Sequence, residues 1–166
     1  MRATRILAFF LLVALAAPRA AGAQTSWTAS LGGGTEVPPV STPGSGTFDA
    51  TLSADHTVMT FTLVYQNLKA AATQARIHRG AAGTTGPAIY YLSAGAFTSP
   101  LTGATDPAPA GGPPGFLPAD FADLQAGNLY VNVATTAHPT GEIRGQIVSA
   151  VQANNETWGR IKALFR

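Results

Sequence analysis

The eight residues Val58-Met59-Thr60-Phe61-Thr62-Leu63-Val64-Tyr65 alternate apolar and polar side chains through their middle. Only an extended chain, whose side chains project to opposite faces at each step, sorts such a pattern into one dry face and one wet face. Gly46-Thr47-Phe48-Asp49-Ala50-Thr51-Leu52 repeats it more weakly, and Ser53-Ala54-Asp55-His56-Thr57 between them reads as a hairpin connection with His56 facing solvent. Further strands are predicted over residues 27–31, 73–78, 88–92, 128–134 and 142–149. About seven or eight short strands punctuated by Gly and Pro imply an all-β fold, a two-sheet sandwich with Greek-key connections.

Two stretches depart from that rhythm. Residues 98–118 hold Pro107, Pro109, Pro113 and Pro114, which cannot join a central ladder, and are expected to form a long connection capping one end of the sandwich. Pro118-Ala119-Asp120-Phe121-Ala122-Asp123-Leu124 after it predicts one or two helical turns closed by Gly127, with Phe121 and Leu124 on one face and Asp120 and Asp123 as exposed first-turn acids. At the C-terminus, residues 151–166 read as a polar linker and a short helix in which Trp158, Ile161, Leu164 and Phe165 fall at helical spacing. That apolar stripe is a candidate docking surface, for the sandwich or for a protein or cell-envelope partner.

The N-terminus predicts an address outside the cytoplasm. Arg2 and Arg5 form a positive n-region, residues 6–17 an apolar run, and Ala21-Gly22-Ala23 a small-residue cleavage site, so residues 1–23 are expected to be a secretory signal. The run falls short of the roughly 20 residues that cross a bilayer. Arg2, Arg5 and Arg19 leave with the signal, so the ten Lys and Arg of the full chain no longer outnumber its eight Asp and Glu. A near-neutral domain over residues 24–150 has no basic field for nucleic acid. With no cysteine there is neither a disulfide nor a thiolate site, and stability must come from the packed core.

Catalytic motifs are thin. Gly44-Ser45-Gly46 lacks the full nucleophile elbow, and Gly32-Gly33-Gly34 has no following Gly-Lys-Ser/Thr, so neither a hydrolase nor a phosphate loop is supported. Tyr130-Val131-Asn132-Val133-Ala134-Thr135 and Gly141-Glu142-Ile143-Arg144-Gly145-Gln146 read as two strands joined by a tight connection, with Glu142 and Arg144 on one face. Arg144 is expected to fork onto Glu36 or Glu142 as a structural ion pair that closes the first strand region against the last. No catalytic residue is predicted.

Four elements occurring in order carry a family resemblance: Gly34-Thr35-Glu36-Val37-Pro38-Pro39-Val40, Ala75-Arg76-Ile77-His78-Arg79-Gly80 with Gly86-Pro87, the Tyr-Val-Asn-Val run, and Gly-Glu-Ile-Arg-Gly-Gln. Together they resemble the CHRD domain, named from chordin and also found in bacterial secreted proteins. The resemblance implies an immunoglobulin-like sandwich related in shape to copper/zinc superoxide dismutase, and no settled activity. It also implies a metal site that this chain has lost. Where the family commonly has His-x-His on the middle strand and a His after the later Asn-Val, Arg76, His78 and Ala134 stand here. A guanidinium repels a cation, so no metal or other cofactor is expected, and His78 with His138 from the later turn are the weak remaining candidates. Two function classes follow: a secreted or periplasmic non-catalytic binding or structural module, and a metal-dependent redox or storage protein of dismutase-like shape.

Overall fold

Along the first strand Trp27, Ala29 and Leu31 are buried while Ser26 and Ser30 are exposed, so the period of two is realised as predicted. The computed structural model describes residues 25–105 and 119–150. Its strands are β1 (Thr25–Gly32), β2 (Ser45–Leu52), β3 (Met59–Gln66), β4 (Ala72–Arg79), β5 (Ala88–Ser93), β6 (Leu101–Ala104), β7 (Leu129–Thr135), β8 (Ile143–Gln146) and β9 (Val148–Ser149). A 3-10 turn, Gly33–Thr35, follows β1, and one short helix, α1 (Asp120–Gln125), precedes β7. The signal and the C-terminal stripe of Trp158, Ile161, Leu164 and Phe165 lie outside the described residues.

The all-β class holds, and the two layers of the expected sandwich are carried by one continuous sheet. The strands form one nearly closed antiparallel sheet in the order β5-β4-β7-β8-β1-β2-β3-β6, with β9 also on β1. The join is made by β8, which pairs with β7 along its length and meets β1 where Arg144 faces Gly32. Gly145 makes that approach possible, because a Cβ there would stand 2.5 Å from the Ser30 carbonyl oxygen. Both halves of the sheet contribute to one core, in which Phe48, Leu52, Met59, Leu63, Ile77, Leu129, Ile143 and Ile147 are fully buried. Each such side chain contributes about 1.5–3 kcal/mol relative to exposure.

Four local expectations change. β6 lies inside the stretch read as a long connection and pairs with β3. The strand predicted over residues 142–149 is interrupted at Ile147, although the Ile147 backbone N–H still donates to the Leu129 carbonyl in the β7–β8 register, and Val148 and Ser149 continue on β1. Helix α1 is present, with Leu124 in the core and Gly127 at φ +70°, but Asp120 is buried rather than exposed and is paired with Arg79. His56 is stacked on Phe121 at 3.7 Å between ring centroids, which ties the β2–β3 hairpin to α1 rather than leaving the imidazole in solvent. Among the described residues no helix is long and apolar enough to cross a membrane.

Candidate polar site on the outer face of β4, β7 and β8

Every residue of β7 is buried, which a sheet wet on one side cannot produce. Leu129, Val131 and Val133 face the core, so Tyr130, Asn132 and Ala134 must be covered on the outer face. The cover comes from two loops. Gly86, between β4 and β5, donates its N–H to the Tyr130 hydroxyl at 3.2 Å, and Glu36, after the 3-10 turn, sits over Asn132.

The strand register sets which side chains meet beneath this cover. Arg76, Asn132 and Arg144 are cross-strand neighbours in one row, and His78, Tyr130 and Gln146 in the next. The Tyr130 ring takes the Arg144 guanidinium at 3.4 Å from its centroid and the His78 ring at 5.0 Å and 12°. Arg144 is only 2 % exposed, and an aromatic face offers a buried cation partial compensation. Gln146 donates through Nε2 to the Gly80 and Gly127 carbonyls, holding the ends of the covering segments in place.

Two buried glutamates flank the row, and their environments drive them apart. Glu36 accepts from Asn132 Nδ2 at 3.0 and 3.2 Å, and burial pushes its carboxyl up to about 7 against the opposing pull of Arg144 and the Val37 N–H. Burial also acts to raise Glu142. There it is outweighed by the Thr42 hydroxyl at 2.6 Å, the Lys69 N–H at 2.7 Å, the Thr135 hydroxyl at 2.7 Å and the charge of His138, which together hold its carboxyl below the usual value. Glu142 is thus an ionised clamp that ties two distant segments, at Thr42 and Lys69, to the β7–β8 turn, where it also holds Thr135.

The expected ion pair of Arg144 with Glu36 or Glu142 is therefore corrected. Among the described residues the ion pairs are those of Arg79 with Asp120 and with Asp123, the latter at 2.7 Å. Glu142 and Arg144 do not share a face either. Glu142 precedes β8 and reaches Thr135, in the inward alternation of Val131 and Val133, whereas Arg144 lies over the outward Tyr130. Gly141, at φ +150°, precedes this change of face, and a Cβ there would meet Asn132 Nδ2 at 2.2 Å and Glu36 Oε1 at 2.6 Å.

Arg76, His78 and Ala134 do lie on one face, with Ala134 opposite Gln74. Their chemistry does not fit a copper or zinc ion. His78 donates from Nδ1 to the Gly86 carbonyl at 2.9 Å, and burial, aided by the charges of Arg76 and Arg144, keeps its pKa below the ordinary value. This leaves a neutral imidazole with its lone pair on Nε2, but the neighbouring ligand position carries the Arg76 guanidinium, which stacks over Tyr91 at 5.1 Å with a buried, unpartnered Nε. His138 does not join it. The turn holding His138 is bonded to Thr135, five residues along β7 from the partner of His78, about 17 Å at the usual strand rise. Among the described residues no three His, Asp or Glu side chains converge as a ligand set.

Beside the polar row opens a cavity of about 380 Å³, lined by Thr35, Glu36, Val37, Ala82, Arg144 and Gln146 among others. A groove of about 440 Å³ over β1, β2 and β3 is larger, but its one charged lining residue, Asp49, already accepts from the Thr28 hydroxyl. The smaller cavity carries the chemistry. Sequence reasoning singled out Glu36 and Arg144 but gave no role to Tyr130 or Asn132. The available signal was their place as polar alternates in a run whose other members are valines.

Fold and site thus define an all-β module with a covered polar patch on the outside of its sheet. The family model of the CHRD domain matches residues 27–147, and the chain belongs to the CHRD domain family. No curated protein and no solved structure matches it.

Proposed function

We propose that this protein is a secreted, non-catalytic CHRD module that acts by binding, with the cavity beside Glu36 and Arg144 as its binding site. The observation that carries the reading is the meeting of a buried acid, a buried cation and an open cavity at one place. A non-catalytic role is supported by the way the polar groups are used. Asn132 is spent on Glu36, Gln146 on two carbonyls, the Tyr130 ring on Arg144, and the Thr35 hydroxyl on the Gly32 and Arg144 carbonyls, so among the described residues no nucleophile is paired with a base at the cavity. Secretion is supported by the n-region, apolar run and small residues of positions 1–23.

Two measurements test the proposal. N-terminal sequencing of exported protein is expected to begin at Gln24, and retention of an intact residue 1–23 segment in the cytoplasm would overturn the location. Crystals soaked with mixed polar fragments are expected to show density against Glu36 and Arg144. Occupancy only of the groove over β1, β2 and β3 would move the site.

A further inference from the structure

We propose that the cavity takes a small organic carboxylate, anchored by the Arg144 guanidinium and flanked by Glu36. The inference rests on the reading of this cavity as a binding site and narrows it to one ligand class.

Arg144 is the first argument. A guanidinium presents five N–H donors in a rigid fork, yet among the described residues Arg144 makes one hydrogen bond, from Nη2 to the Ala81 carbonyl at 3.3 Å, and no ion pair. It is almost wholly buried and borders the cavity, where a carboxylate can meet the fork in a planar, two-bonded arrangement. Charge balance is the second. Arg144 on β8 and Arg76 on β4 are cations, His78 on β4 is held neutral, Asn132 on β7 is uncharged, and the single acid is Glu36, on which Arg144 is the only charge acting among the described residues. The patch is net positive with Glu36 ionised and more so with Glu36 protonated.

Glu36 would repel an incoming carboxylate in its charged form. Held at about 7, it takes up a proton as the ligand arrives and donates a hydrogen bond to it. The rim favours an organic anion over an inorganic one, because Val37, at 38 % exposure, stands with Pro39 and Ala82 at the cavity and offers apolar contact to a short carbon chain.

The test is a titration of the 15N-labelled protein with sodium butyrate, butyramide and inorganic phosphate, following the backbone amides of Glu36, Ala82, Gly83, Arg144 and Gln146. Butyrate is expected to shift these amides saturably, with butyramide and phosphate on the order of tenfold weaker. Binding at pH 6 is expected to exceed binding at pH 8 about tenfold, because the proton taken up by Glu36 becomes harder to supply. Ala82→Phe, which fills the rim without touching the polar row, is expected to abolish the shifts in a folded protein, and Arg144→Gln to do so if it folds. Equal shifts with butyramide or phosphate would overturn the carboxylate while leaving a binding site. No shift at these amides with any of the three would overturn both.

Discussion

Glu36 and Glu142 are chemically identical and both buried, yet they contribute to stability with opposite pH signs. Glu36 has a folded pKa of about 7, above the ordinary glutamate value of about 4.5, so the folded state binds the extra proton between those values. Its favourable contribution is present below about 4.5 and is lost as pH rises through about 7, a swing on the order of 3 kcal/mol. Glu36→Gln, which keeps the shape and removes the charge, is expected to flatten this part of the stability profile and to raise the melting temperature at pH 8. A melting temperature at pH 8 unchanged from wild type would show that the carboxylate is not desolvated as described. Glu142 has a lowered folded pKa, so its contribution is present above the unfolded value and fails as pH falls through the folded one. Glu142→Ala strands the Lys69 N–H and the Thr42 and Thr135 hydroxyls, and chemical denaturation at pH 7 is expected to show a loss of about 2–4 kcal/mol.

At the scale of elements, β8 is the piece on which the sheet depends. It pairs with β7 along four residues and passes the ladder to β1 at a single position, with Gly145 in close contact with Ser30. Gly145→Ala is expected to destabilise the fold by roughly 1–3 kcal/mol, and the same change at Gly34, where a Cβ meets nothing, to cost little by comparison. Equal denaturation midpoints for the two variants would show that the contact relaxes freely. Most strands were legible from period alone, because alternation such as that of Thr60-Phe61-Thr62-Leu63 is a local property. β6 was not, since Leu101-Thr102-Gly103-Ala104 is short, weakly patterned and made a strand by β3 beside it. The change of partner after Ile147 was hidden for the same reason: β8 runs along β7 while Val148 and Ser149 pair with β1, and which strand lies alongside is not a local property.

For the molecule as a whole, one core and one nearly closed sheet stabilise a chain with no disulfide. The outside of that sheet also bears on the question of a metal. Titration calorimetry with copper and zinc is expected to give no tight one-to-one binding, since the positions that share the face of His78 offer a guanidinium and a methyl group. Tight binding lost on His78→Ala would restore the metal-dependent reading.

The sequence by itself determined the all-β class, the place of most strands and the family, because side-chain period and turn residues act over a few positions. It also exposed the arginine and alanine that replace histidines. Only the tertiary structure decided the partners. Glu36 meets Asn132 across 96 residues, and Glu142 meets Thr42 across 100. Period fixes which side of its own strand a residue takes, but neighbouring strands and covering loops follow from packing the whole chain. The ion pair expected of Arg144 with Glu36 or Glu142 failed on that point: the Glu142 side chain goes inward to three donors and that of Arg144 outward onto Tyr130.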